Sequence, residues 1–348
     1  MNIRLVAVLL MSVLFIAAGC SKEDKGGAVG KADAKQDPSS AVQEDGKTDD
    51  EEEQDAEETG VELIQKPENA GDMEIELAGD VILDGKQLTV KGQTNLLEGS
   101  KLYVNMNWLE GILIGGNRTA LVEADGSFFY ETELPEKTKG LITVEVSFEP
   151  PTQNTEIMDH YGETGEKMTG PFIRLYDWND DDANRVEYQK ASAQVELFQD
   201  DGEKVEASIA PPVWKKPDDY GSTEIRIEPA SVKKDERYIY IDGVSNLLEG
   251  TRLRGRAMLP GYITSAFISE TDVNPDGSFR IVFENPETDS RIKNLDEYEI
   301  TIETNIGNTS FSTPLETYGE HGENMTGSLI ESEGDEKVAQ VRIKEKAE

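Results

Sequence analysis

Apolar and polar residues alternate with a period of two through most of the chain beyond Met73. Leu88 and Val90 alternate with polar neighbours, and Leu102, Val104, Met106 and Trp108 alternate with Lys101, Tyr103, Asn105 and Asn107. Ile142, Val144, Val146 and Phe148 repeat the pattern, as do Tyr298, Ile300 and Ile302. Such alternation buries one face of a strand and leaves the other in water, as in an antiparallel sheet. No stretch beyond residue 20 sustains a 3.6-residue apolar period. Short strands separated by Gly, Asn, Asp and Pro turns predict an all-β protein built from antiparallel β-sandwiches.

The pattern is written twice. Asn95-Leu96-Leu97-Glu98-Gly99 returns as Asn246-Leu247-Leu248-Glu249-Gly250, and Asp125-Gly126-Ser127-Phe128 as Asp276-Gly277-Ser278-Phe279, both at an offset of 151. Tyr161-Gly162-Glu163-x-Gly165-Glu166-x-Met168-Thr169-Gly170 returns at Tyr318 through Gly327, at an offset of 157. Three motifs in one order mark a duplicated domain. The expected division is a first sandwich over 73–198, a Pro-containing linker over 199–222 and a second sandwich over 223–348. Near the ends of the copies, Ala193, Val195 and Leu197 align with Ala339, Val341 and Ile343.

Each motif has an expected structural task. Asn-Leu-Leu-Glu-Gly is a turn with its leucines tucked beneath it, the Asn and Gly suiting tight or left-handed positions. Asp-Gly-Ser-Phe is a hairpin turn entering a strand, with Phe128 and Phe279 in the cores. The Tyr-Gly-Glu segment is an irregular loop before the last strand, its Tyr and Met packed over the core. Pro150-Pro151 ends a strand. In the linker, Trp214 packs against a domain or stands as an exposed aromatic, packing being favoured.

The first residues differ in kind. Met1 to Gly19 combine Arg4 with an apolar run from Leu5 to Ala18 broken only by Ser12. That run is shorter than the ~20 residues a spanning helix needs, and it suits an export signal. It ends in Ala17-Ala18-Gly19-Cys20, which resembles the lipobox of bacterial lipoproteins. The resemblance implies cleavage after Gly19, lipid transfer to the Cys20 thiol and acylation of the new amino terminus. Two or three acyl chains hold a protein stably on a membrane, at ~0.8 kcal/mol per buried methylene. From Cys20 to Asp72 the chain is expected to be an acidic linker. Residues 21–59 contain fourteen acids and five bases, too polar to offset the entropy of folding.

Charge and chemistry narrow the partners. Asp and Glu number 71 against 34 Lys and Arg, a net charge of −37, which excludes the basic footprint of nucleic-acid binding. Cys20 is the only cysteine, so an intramolecular disulfide is excluded. With His160 and His321 as the only histidines, no Cys/His zinc spacing exists. The two histidines occupy unmatched positions, His321 standing where the first copy has Thr164. These features disfavour an enzyme and call for no cofactor. The carboxylate pairs Glu163/Glu166 and Glu320/Glu323 are candidate Ca²⁺ ligands, with solvated side chains the plainer reading. Asp177, Asn179 and Asp181 begin like a Ca²⁺ loop but lack its glycine at position six and its acid at position twelve. A carboxylate-dependent hydrolase is the remaining catalytic reading.

The Asn-Leu-x-x-Gly-x-x-Leu, Asp-Gly-x-Phe and Tyr-Gly-x-x-Gly-Glu pattern resembles domains in lipoproteins of Bacillus-type bacteria. The resemblance spans most of 73–346 and implies an immunoglobulin-like sandwich at the cell surface. It brings no activity and no catalytic residues. The expected protein is therefore lipid-anchored and extracytoplasmic, with a binding or structural role toward an envelope protein or a cell-wall polymer.

Overall fold

The computed structural model describes residues 65–111, 113, 119–177, 186–262 and 266–347. Cys20, the export-like segment, the tether up to residue 64, Asn179 and Asp181 lie outside the described residues. Residues 61–348 form one unit holding both repeats.

In the first repeat the alternating runs become β1 (Leu77–Asp84), β2 (Gln87–Thr94), β3 (Lys101–Trp108), β4 (Thr119–Leu121), β5 (Ser127–Glu133) and β6 (Gly140–Phe148). A seven-residue helix α1 (Thr155–Tyr161) follows, then β7 (Ile173–Tyr176), β8 (Tyr188–Gln199) and β9 (Val205–Ile209). They form two sheets, ordered β5-β2-β1-β9 and β4-β3-β6-β8-β7, with antiparallel ladders. The chain changes sheet between β2 and β3, β4 and β5, and β5 and β6, the crossover pattern of an immunoglobulin-like sandwich, and once more between β8 and β9.

The second repeat runs β10 (Ile227–Lys234), β11 (Tyr238–Ser245), β12 (Arg252–Met258), β13 (Ile268–Asp272), β14 (Ser278–Glu284) and β15 (Glu297–Thr304). Helix α2 (Ser312–Tyr318), β16 (Ile330–Glu333) and β17 (Glu336–Lys346) complete it. Its sheets are β10-β11-β14 and β13-β12-β15-β17-β16. The fold is all-β, as the periodicity predicts. The inward positions of the alternating runs form one core per repeat, with Leu88, Val104, Val144 and Phe148 in the first and Ile239, Leu253, Ile281 and Ile300 in the second. Each such fully buried side chain contributes roughly 1.5–3 kcal/mol.

Four expectations need correction. The linker expected from residue 199 begins later, because Val205–Ile209 pairs with β1 as β9. Its five-residue alternation is too short to stand out beside acidic neighbours. The pairing of the copies near their ends shifts by two residues. Ala191 lies opposite Ile173 and Ala339 opposite Ile330, so Ala193 and Val195 correspond to Val341 and Ile343. The Asp-Gly-Ser-Phe turn is tight, with Glu123 N–H to Ser127 O at 2.8 Å, yet β4 and β5 belong to different sheets, so it is a corner and not a hairpin. The Tyr-Gly-Glu loop leads into two strands, not one, and its tyrosine closes a short helix that two turns of sequence could not reveal by periodicity.

The copies also differ at one edge. β1 sits between β2 and β9, and Val81 and Leu83 are fully buried. β10 pairs only with β11 among the described residues, and half-buried Val232 and Lys234 occupy the matching positions. Lys234 Nζ is held by Glu287 at 3.0 Å and Glu345 at 3.5 Å. Pro229 and a register break beside it interrupt that edge, features that keep an exposed strand from recruiting another.

Candidate functional site

The three duplicated motifs fold into one cluster at the same end of each sandwich. Leu96 and Leu247 are buried beneath the Asn-Leu-Leu-Glu-Gly turn, and Gly99 and Gly250 take left-handed angles, φ +80° and +78°. The asparagines do not. Asn95 and Asn246 are buried clamps: Asn246 Oδ1 accepts Arg226 N–H (2.9 Å) while its Nδ2 donates to Glu224 O (2.7 Å). Asn95 makes the same pair with Glu76 N–H and Glu74 O, at 2.9 and 2.7 Å. The primary amide offers a donor and an acceptor side by side, so it substitutes for a neighbouring strand.

The Tyr-Gly-Glu loop locks onto this turn. Leu97 N–H donates to Tyr161 Oη (3.1 Å), and Leu248 N–H to Tyr318 Oη (3.0 Å). Both rings are fully buried, with Met168 and Met325 beside them in the cores, as the sequence predicts. Burial pushes each phenol up to about 12. An unfolded tyrosine ionises near pH ~10, so the folded state binds more protons above that value and loses stability as pH rises further. Thermal midpoints are expected to fall between about pH 10 and 12, and less steeply in Tyr161→Phe, as calorimetry would read.

The candidate metal-ligating pairs are drawn into loop shape. Glu166 Oε2 accepts from Thr164 N–H (3.1 Å) and Thr164 Oγ1 (2.9 Å), and Glu323 Oε2 accepts from His321 N–H (2.9 Å). Backbone N–H groups, its own included, hold the Glu166 carboxyl below the usual range, and the same cause acts on Glu323. Glu163, Glu320 and Asp177 are exposed. Among the described residues no group of three or more His, Cys, Asp or Glu side chains is placed to hold a metal ion. His160 Nε2 donates to Gly71 O (2.6 Å), in the segment that leads into its own repeat.

A second assembly joins the repeats, and nothing in the sequence pattern marks it. Leu141 N–H donates to Tyr238 Oη at 3.0 Å, and that hydroxyl donates to Glu110, which also pairs with Arg237 (2.9 Å). Arg237 reaches Asp200 as well. Arg174 meets Glu249 at 3.2 Å, and Arg280 meets Glu196 at 3.1 Å. The residue before helix α2, Phe311, offers no capping side chain. Instead Glu187 of the first repeat accepts from Ser312 Oγ (3.0 Å) and Thr313 N–H (2.7 Å). Its counterpart α1 is capped by its own Asn154.

Trp214 tightens the same joint. Its Nε1 donates to Pro171 O (2.6 Å), the Arg174 guanidinium lies 5.4 Å from its ring centre, and the next residue's N–H reaches Asp276 Oδ2 (3.2 Å). Between these contacts runs a polar cleft of about 370 Å³ lined by Arg174, Gln194, Glu196 and Glu270. In a neighbouring pocket of the joint, burial pushes the Asp272 carboxyl up, against the opposing pull of Arg252 and Arg174. Replacing Tyr238 with Phe removes one donor and one acceptor from the joint and should cost about 1–3 kcal/mol. A denaturant titration showing no change would mean that the joint stands without them.

The outer face of the β1-β2-β5 sheet carries a contrasting feature, an open and largely apolar groove of about 790 Å³. Phe129 and Leu121 line it, 59 % and 55 % exposed. Sequence reasoning missed it although a signal was present: in Phe128-Phe129, period two sends only one ring inward.

A scan of the chain against protein-family models gives no match, and a search of curated proteins gives none either.

Proposed function

We propose that the chain is an extracytoplasmic lipoprotein, held to the membrane through Cys20, whose two sandwiches act as a stiff, non-catalytic binding and spacing module. The ion-paired joint is the observation that carries the stiff-module reading. Its charged groups engage one another across the repeats, Arg174 with Glu249, Arg237 with Glu110 and Arg280 with Glu196. Partly buried pairs of this kind fix orientation more than they add stability. The anchor rests on the apolar run and Ala17-Ala18-Gly19-Cys20, and the acidic stretch behind it would hold the module off an anionic surface. An envelope protein or a cell-wall polymer is the partner class that suits this placement.

Cys20→Ala should move the protein from the membrane fraction to the soluble fraction in cell fractionation. Retention on the membrane, with the signal intact, would overturn the anchor.

A further inference from the structure

Because the fold is duplicated, each repeat carries both surfaces of the joint, and the chain itself uses only one of each. The second repeat presents Asp272 and Arg280. The first presents Lys190 and Glu196 from β8, with Asn107 lining the cleft beside Glu196 and Lys190 lining a neighbouring pocket. The unused counterparts are the equivalent front of the first repeat and the equivalent back of the second.

Strand registers set the correspondence. Asp272 and Arg280 match Leu121 and Phe129. Asn107, Lys190 and Glu196 match Met258, Val338 and Lys344. Four of these five polar joint residues are thus replaced by apolar ones, two on each unused surface, and the fifth, Glu196, by Lys344. Leu121, Phe129 and Met258 are 55 %, 59 % and 46 % exposed, large apolar side chains left in water where their counterparts line the joint or, for Arg280, pair across it. Scattered exposed apolar residues call for no explanation, but matched sets on complementary faces do.

We propose that the chain associates with itself head to tail, the Met258–Val338 face of one copy's second repeat seating on the Leu121–Phe129 groove of the next copy's first repeat. The polar pocket that Lys190 and Asp272 line together becomes an apolar contact of Val338 with Leu121. The Arg280–Glu196 ion pair becomes the Lys344 ammonium against the Phe129 ring, a favourable cation–π pairing. Two joint contacts have no favourable counterpart: Glu98 and Glu331 replace Glu249 and Arg174, although Arg342 holds Glu331 at 2.9 Å, and Gly261 and Lys86 replace the ion-paired Glu110 and Arg237. The contact is heterologous, so it extends into rows rather than closing into a pair. Self-repulsion from a net charge of −37 opposes it at low ionic strength, so association strengthens as salt screens the chains.

The test uses a chain beginning at Ser21, which retains both cores and contains no cysteine. Phe129→Cys and Lys344→Cys, made as separate single variants, stand where Arg280 and Glu196 touch at 3.1 Å. Under mild oxidation a disulfide-linked dimer is expected in the mixture of the two, with little in either alone. Cross-linking of Phe129→Cys to itself at the same rate would overturn the head-to-tail arrangement, as would no cross-linking in the mixture. In sedimentation velocity the unmodified chain should grow in mass with concentration and with added salt. Phe129→Glu with Met258→Glu should lose that growth, both sites being exposed enough to accept the change without unfolding. An unmodified chain that stays monomeric at every salt level, or a double variant that associates as well as the original, would also overturn the proposal.

Discussion

Asn246→Ala is expected to destabilise the second repeat by about 2–4 kcal/mol, a peptide group left without a partner costing roughly 1–3 kcal/mol when buried and these two being partly buried. The two groups are Glu224 C=O and Arg226 N–H, and no other side chain bonds them as Asn246 does. Asp at this position keeps the acceptor and loses the donor, so its carboxylate would face the Glu224 carbonyl. Urea unfolding of the intact chain would register the loss as a lower midpoint for the transition reporting the second core. Asn95→Ala provides an internal control, because Asn95 clamps Glu74 and Glu76 with the same geometry. If both variants unfold like the unmodified chain, water replaces the amide and the clamp reading fails.

Phe279→Ala should cost about 3–5 kcal/mol, the usual range for emptying an aromatic site in a core. Phe279 is 2 % exposed, and its ring fills the space that Gly243, on the neighbouring strand, leaves open. A methyl group at Gly243 would overlap that ring, and Gly92 and Phe128 repeat the arrangement in the first repeat. Gly243→Ala is therefore destabilising by about 1–3 kcal/mol through overpacking. The double variant should be less destabilised than the sum of the single ones, since removing the ring makes room for the methyl. Strict additivity in a thermal unfolding cycle would show that the glycine serves the backbone alone.

These two predictions fall on motifs that the sequence displayed openly. Repetition singled out Asn95/Asn246 and Phe128/Phe279, and alternation placed the phenylalanines in the cores. The task of the asparagine was misread because tight turns and buried clamps favour the same residue. Choosing between them requires knowing that residues 74–76 and 224–226 pass within hydrogen-bonding distance. That the loop tyrosine bonds the leucine turn was likewise hidden, because 64 residues separate Tyr161 from Leu97.

The joint was the least legible part. Glu110, Glu187, Asp200 and Arg237 read in sequence as members of a strongly charged surface, where acids are so frequent that no pairing stands out. Their partners come from the other repeat, with separations of 127 residues for Glu110 and Arg237 and 126 for Glu187 and Thr313. The candidate ligands Glu166 and Glu323 show the converse. Their spacing suggested a shared cation, whereas local folding turns each carboxylate back onto its own loop.

By itself, then, the sequence determined the class of fold, the duplication and most core positions, since alternation and repetition are local properties written into consecutive residues. It also carries the whole case for export and lipid attachment, in a segment whose chemistry depends on composition and not on folding. Tertiary structure decided what depends on distance between remote residues: the addition of β9 to the first sheet, the clamp made by each asparagine, the ion-paired joint and the faces left unmatched. Those choices follow from how two nearly equivalent sandwiches pack, where a change from Asp272 to Leu121 or from Arg280 to Phe129 has no meaning until the surface opposite is known.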